Sequence, residues 1–339
     1  MRLKKFGRAV VAAAATMALA VGTATAAQAT DLGLPTPENP GGVESPTSPG
    51  GVPANGYGPD KHTWVGATTY ARMHPGLSPM GTNDFTCTPQ PGESPVVLVP
   101  GTGTSAYGAW AMFGPHLAQR GLCLFTFNYN PSGNPVDEMA SFNGDIRQSA
   151  AFLAGFVDRV LEATGAEKVT LVGHSQGGGP LPRAYLKWYG GAEKVDHLIG
   201  LSPNNHGTTM MGLKGAINYL VNKYPNIEEK LSADNMDALL QQLEGSEFLT
   251  ELNDGGLTVP GVKYTVLTTK YDTTVTPYTN AFIDEPGVEN ILIQDVCPMH
   301  APTHPNITYS SVALQMVGNM LDADNQQPVR CGWMPPYLK

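Results

Sequence analysis

Short apolar runs bounded by helix breakers recur along this 339-residue chain. Pro95-Val-Val-Leu-Val-Pro100, Leu122–Tyr129, Lys168–Gly173, Val195–Leu201, Tyr264–Thr269 and Asn290–Gln294 each read as a strand buried on both faces, because such a strand loses the apolar/polar alternation of a half-exposed one. Between these runs the period changes. From Asp145 onward, Ile146, Ala150, Leu153, Val157 and Leu161 recur every three to four positions, and Gly165 stands where a helix C-terminus favours a residue free to take positive φ. Candidate helices also follow Gly177 and cover Ser310–Leu321. Strands alternating with helices predict an α/β fold, with a mostly parallel central sheet covered by helices on both faces.

The pattern differs at the N-terminus. Arg2, Lys4, Lys5 and Arg8 precede an apolar run from Ala9 to Val21, and Ala27 and Ala29 frame an A-x-A cleavage site. The run is too short to span a bilayer, so residues 1–29 read as a Sec-type signal peptide and not as an anchor. Residues 30–60 are crowded with Pro and Gly and hold almost no branched or aromatic side chains, a composition that reads as a flexible leader. Residues 61–339 are left as one large domain with a full core.

Composition narrows the classes. With 41% hydrophobic residues, 14% charged, 39 Gly and 29 Pro, the chain is neither a coiled coil nor a disordered polyelectrolyte. Twenty basic against 29 acidic residues give a net charge of −9, or −13 once the four basic residues of the signal are removed. Neither nucleic acid nor an anionic membrane is therefore an expected partner. Cys87, Cys123, Cys297 and Cys331 form an even set without a C-x-x-C pair, as expected for disulfides in an exported protein. Three pairings are possible; Cys87–Cys123 and Cys297–Cys331 are favoured because each closes a local loop. No metal-ligand spacing and no cofactor motif is legible, and a monomer is expected.

In parallel sheets ligands bind at the carboxyl ends of strands. Directly after the run ending at Val172 the chain reads Gly173-His-Ser-Gln-Gly177, a G-x-S-x-G pattern that places Ser175 on a sharp strand-to-helix turn with its hydroxyl exposed. Pro182 lies where a backbone donor is normally needed, which predicts a kinked or delayed helix after this turn. A serine hydroxyl needs a base to take its proton and a carboxylate to orient that base. Asp272, just past the run Tyr264–Thr269, is the candidate acid, ahead of Asp284 and Asp295. His300 and His304, past the run Asn290–Gln294, are the candidate bases. Oxyanion donors are expected from the backbone of Gln176 and from the loop Pro100-Gly-Thr-Gly-Thr104, which lacks the lysine of a phosphate-binding loop. His174 reads as a packing residue and His206 as a loop or pocket-wall residue. The segment 207–260, with Met210, Met211, Leu213, Ile217, Leu220, Leu231, Met236, Leu239, Leu240 and Leu243 at helical spacing, reads either as ordinary packing or as a lid or acyl-chain wall.

Leu98-Val-Pro-Gly-Thr-Gly-Thr104, Ser175-Gln-Gly-Gly178, the Asp272-x-x-Val275-x-Pro277 turn, Val296-Cys297 and Val317-Gly318 together resemble secreted lipases of the α/β-hydrolase fold, the group of bacterial class 2 triacylglycerol lipases and fungal lipase B. The resemblance is scattered over nearly the whole expected domain. It implies Ser175, Asp272 and His304 as catalytic residues, Thr102 and Gln176 as oxyanion donors, the disulfide pairing given above, and a lipid ester met at an oil–water interface as substrate. Pro305 and the two prolines after the elbow depart from the fungal pattern. Rival readings are a carboxylesterase or polyester hydrolase with the same residues, and a secreted binding protein on a hydrolase fold.

Overall fold

The computed structural model of the protein describes residues 56–129, 141–224, 226–234 and 236–335. The expected signal sequence and all but the last five residues of the expected leader lie outside this range. The described residues open with a small parallel ladder, β1 (Tyr57–Gly58) against β2 (Ser78–Pro79), with helix α1 (Trp64–Met73) between them. Tyr57 and Gly58, expected to fall in the leader, are therefore part of this ladder. Gly58 lies so close to the Tyr107 ring that a Cβ would overlap it, and the Tyr107 hydroxyl donates to the Pro59 carbonyl. Glycine here permits close packing where its abundance had suggested disorder.

Onward, β3 (Val96–Val99) is followed by α2 (Ala106–Trp110), α3 (Phe113–Ala118) and β4 (Leu124–Thr126). Helix α4 (Ile146–Thr164) leads to β5 (Val169–His174); a 3-10 turn at Ser175–Gly178 and α5 (Pro180–Trp188) lead to β6 (Val195–Leu201). Helices α6 (Lys214–Lys223), α7 (Asn226–Ala233), α8 (Asp237–Gln241) and α9 (Glu247–Asn253) separate β6 from β7 (Lys263–Thr268). Then come β8 (Val288–Leu292), the single turn α10 (Ile293–Val296) and α11 (Ser311–Leu321).

Among the described residues β3–β8 form one parallel sheet in the order β4-β3-β5-β6-β7-β8. Strand β4 is shorter than the apolar run suggested. It is an edge strand paired over three residues, and just beyond it Asn128 leaves the sheet to accept from the Ala106 backbone N–H. The last strand sits two residues earlier than expected, because Ile293 already turns into α10. Alternation sorts the core into two layers: Val97, Val99 and Leu171 pack with Phe156 and Val157 of α4, while Val96, Leu98 and Val172 pack with Trp110, Phe113 and Val312. Helix α4 is closed as its sequence implied, with Asp145 capping Arg147 N–H and Gly165 at φ +69°. Disulfides join Cys87 to Cys123 and Cys297 to Cys331.

The strand order positions the site. The chain lays β3 down, moves out to β4, then returns across β3 to place β5 on its other side. The carboxyl ends of β3 and β5 thus lie side by side, with Val99 in register with Gly173, while their connections depart in opposite directions. Such a reversal opens a crevice where loops from both strands face one another.

Candidate active site

Ser175 follows β5 directly and takes φ +57°. This left-handed backbone costs a non-glycine residue about 1–2 kcal/mol, a strain that recurs at functional positions. The flanking glycines make the turn possible: a Cβ on Gly173 would overlap the Gly177 backbone, and one on Gly177 would overlap the Pro100 carbonyl. The helix start is delayed, as the prolines implied. With Pro180 at the first helical position and Pro182 at the third, both lie among residues whose N–H has no intrahelical partner, and Arg183 N–H makes an early bond to the Gly179 carbonyl.

The loops after β7 and α10 meet beside this turn. Asp272 and His304 are both buried, and His304 Nδ1 donates to Asp272 Oδ2 at 2.8 Å. Asp272 Oδ1 accepts from the Thr274 and Val275 N–H groups at 2.8 and 2.7 Å. Burial alone raises the Asp272 carboxyl; the adjacent His304 and these hydrogen bonds outweigh it and hold the group below the usual carboxylate range. Gln294 ties the two loops together, accepting from Lys270 N–H and donating to the His300 carbonyl and to Thr269 Oγ.

His174 does more than pack. Its Nε2 lies 2.9 Å from the His304 carbonyl, which can only accept, so the ring is the Nε2–H tautomer. The two rings sit 4.7 Å apart, centroid to centroid. Burial, and then the His304 ring, push the His174 imidazole down to about 3 against the pull of that carbonyl. A neutral imidazole next to Ser175 therefore anchors the backbone of His304. On its other flank His174 Nδ1 and Ser175 Cβ both approach Gly101, so the β3 loop lies against the turn.

In that loop Thr102 is half-buried. Its Oγ receives Gln176 Nε2 at 3.0 Å and Gln242 Nε2 at 2.9 Å. Gln242 is in turn bonded to Asn204 Nδ2, and Gln176 to the Phe142 carbonyl. Gln242 and Asn204 escaped sequence reasoning. Asn204 had a usable signal, since it follows the carboxyl end of β6, next to β5; Gln242 had none.

Residues 93–317, about two thirds of the chain, match the family Lipase (class 2). The chain belongs to the class 2 lipases. Comparison with curated proteins finds none that matches. Among solved structures, Aspergillus fumigatus lipase B superposes with a TM-score of 0.54 at 21% identity, over 75% of this chain and 56% of the fungal one. The chain thus spans little more than half the length of that relative. Bacillus licheniformis lipase BlEst2 in its mature form superposes with a TM-score of 0.50 at 18% identity, over 69% of this chain and 94% of the other. Likeness at these identities shows the α/β-hydrolase fold.

The remaining candidates of the lipase fall elsewhere. His300 is buried with Nδ1 on the Gly332 carbonyl and Nε2 on Ser310 Oγ, each at 2.7 Å; it clamps the C-terminal segment to the start of α11. His300→Ala is expected to keep most ester turnover yet melt about 3–5 °C lower, from roughly 2–3 kcal/mol of lost bonding and packing, as read by calorimetry. His206 is exposed. Asp284 and Asp295 make no contact with either histidine among the described hydrogen bonds and ion pairs. Helices α6 and α7 fully bury none of their described side chains, and a cavity of about 520 Å³ separates them from α8 and α9. Val221, Leu231, Leu240, Leu243 and Phe248 line it together with Lys214; Ser175 does not. Among the described residues no group of three or more His, Cys, Asp or Glu side chains is arranged to hold a metal ion.

Proposed function

We propose that this lipase is a secreted serine hydrolase that cleaves triacylglycerols or related lipid esters through an acyl-enzyme on Ser175. The observation that carries the reading is the Asp272–His304 pair, 2.8 Å apart and buried, beside a serine held in left-handed backbone at the sheet's reversal point. His304 takes the Ser175 proton as the hydroxyl oxygen attacks the ester carbonyl, and Asp272 fixes the tautomer and steadies the imidazolium that forms. The carbonyl oxygen, now negative, is held by backbone N–H groups of Thr102 and Gln176 and by the Thr102 hydroxyl. His304 then returns its proton to the leaving alkoxide, the alcohol departs, and water repeats the sequence to release the fatty acid.

Export through the signal at 1–29 is supported by two disulfides, which persist in oxidising compartments. Among the described residues no helix is long and apolar enough to cross a membrane.

A fluorophosphonate probe tests the reading: one covalent label at Ser175, lost on heat denaturation, is expected, and absence of labelling on the folded protein overturns it. Substrate class is read from p-nitrophenyl esters of rising chain length, with and without an emulsified oil phase. Turnover that rises with chain length and with the interface is expected; preference for short soluble esters, unaffected by oil, assigns a carboxylesterase instead.

A further inference from the structure

We infer that Gln242 is a positioning residue that turns the Thr102 hydroxyl into an oxyanion donor, an inference that rests on the reading of Ser175 and Thr102 given above. A threonine hydroxyl has one proton to give and two lone pairs that accept. Here the two lone pairs are filled by the Nε2 groups of Gln176 and Gln242. The oxygen is left with its own O–H, which can only donate.

The direction of both amides follows from neighbours that cannot be reversed. Gln242 Nε2 also lies 2.9 Å from the Ala238 carbonyl, and Gln176 Nε2 lies 3.0 Å from the Phe142 carbonyl. Flipping either amide would set oxygen against carbonyl oxygen. Gln242 Oε1 is the competing acceptor for the Thr102 proton, but at 3.3 Å it is a long one, and it already accepts from Asn204 Nδ2 at 3.1 Å. An anionic oxygen arriving at the crevice is a far stronger acceptor than a shared amide carbonyl. The hydroxyl is thus oriented before substrate arrives, and the reorientation that would otherwise accompany charge development is avoided.

Gln242 reaches this position from the insertion between β6 and β7, where it caps the C-terminal end of α8. Its neighbours Gln241 and Leu243 line the cavity on the insertion, while Gln242 turns toward Thr102. One side chain therefore links the insertion to the oxyanion loop.

The test is a double-mutant cycle with kcat counted per fluorophosphonate-titrated site, so that misfolded protein lowers the titre and not the rate. Gln242→Met keeps the length and loses the amide; kcat is expected to fall about 10- to 100-fold with KM within about twofold. Gln242→Glu, which offers Thr102 an acceptor in place of a donor, is expected to fall at least as far. In a Thr102→Val background, where no hydroxyl remains to orient, Gln242→Met is expected to change kcat less than about twofold. A purely structural role predicts equal losses in both backgrounds. Equal losses, or no loss in the Thr102 parent, overturn the inference. Ser175→Ala with retained turnover would instead overturn the reading beneath it.

Discussion

Ser175→Ala is expected to lower ester turnover by about 10⁵- to 10⁶-fold and to abolish fluorophosphonate labelling, while the protein still folds. Removing the proposed nucleophile leaves the Asp272–His304 bond and the proposed oxyanion loop in place, so residual hydrolysis is limited to what positioning of water supplies. Turnover within tenfold of the parent would remove Ser175 from the mechanism. The backbone adds a second, independent readout. At φ +57° a glycine carries little of the penalty that serine bears, so Ser175→Gly is expected to be as inactive as the alanine variant yet to melt a few degrees higher. Activity and stability move in opposite directions when strain is retained for the sake of a reactive group.

How much of this site is legible in sequence depends on how local its causes are. Ser175 is legible because the run Val169–Val172, the flanking glycines and the turn are contiguous, and the steric need for Gly173 and Gly177 arises within five residues and the adjacent β3 end. Asp272 is legible as a carboxylate past a strand end. The choice between His300 and His304 is not, from spacing alone: both lie on one loop, and they differ in what their ring nitrogens meet, Gly332 and Ser310 for one, Asp272 for the other. Resemblance to a family had favoured His304. Gln242 was invisible for a stronger reason. It meets Thr102 across 140 positions, and a glutamine near the end of a short helix carries no local mark of a partner so distant. The same limit explains why Gly58 reads as leader, since the Tyr107 ring it packs against lies far along the chain.

Asp272→Asn is expected to lower kcat by about 10⁴-fold with the fold intact, an effect second to that of losing the nucleophile. The reason lies in which oxygen is pinned. Thr274 and Val275 N–H groups both donate to Oδ1, so an asparagine keeps its carbonyl there and turns its NH₂ toward His304. His304 Nδ1 must then accept, its proton moves to Nε2, and the nitrogen that should take the Ser175 proton already holds one. His304→Ala is expected to lose at least as much, and Asp272→Asn turnover within tenfold of the parent would dismiss the pairing. Stability gives the matching pH signature. Folding holds the Asp272 carboxyl below its unfolded value of about 3.9, so the ionised group contributes stability that is complete above that value and is lost as pH falls through the folded value. The stability gap between parent and Asp272→Asn, measured by urea unfolding, is therefore expected to narrow as pH falls below about 4. A gap that stays open at low pH would mean that the carboxylate's charge contributes nothing to holding His304.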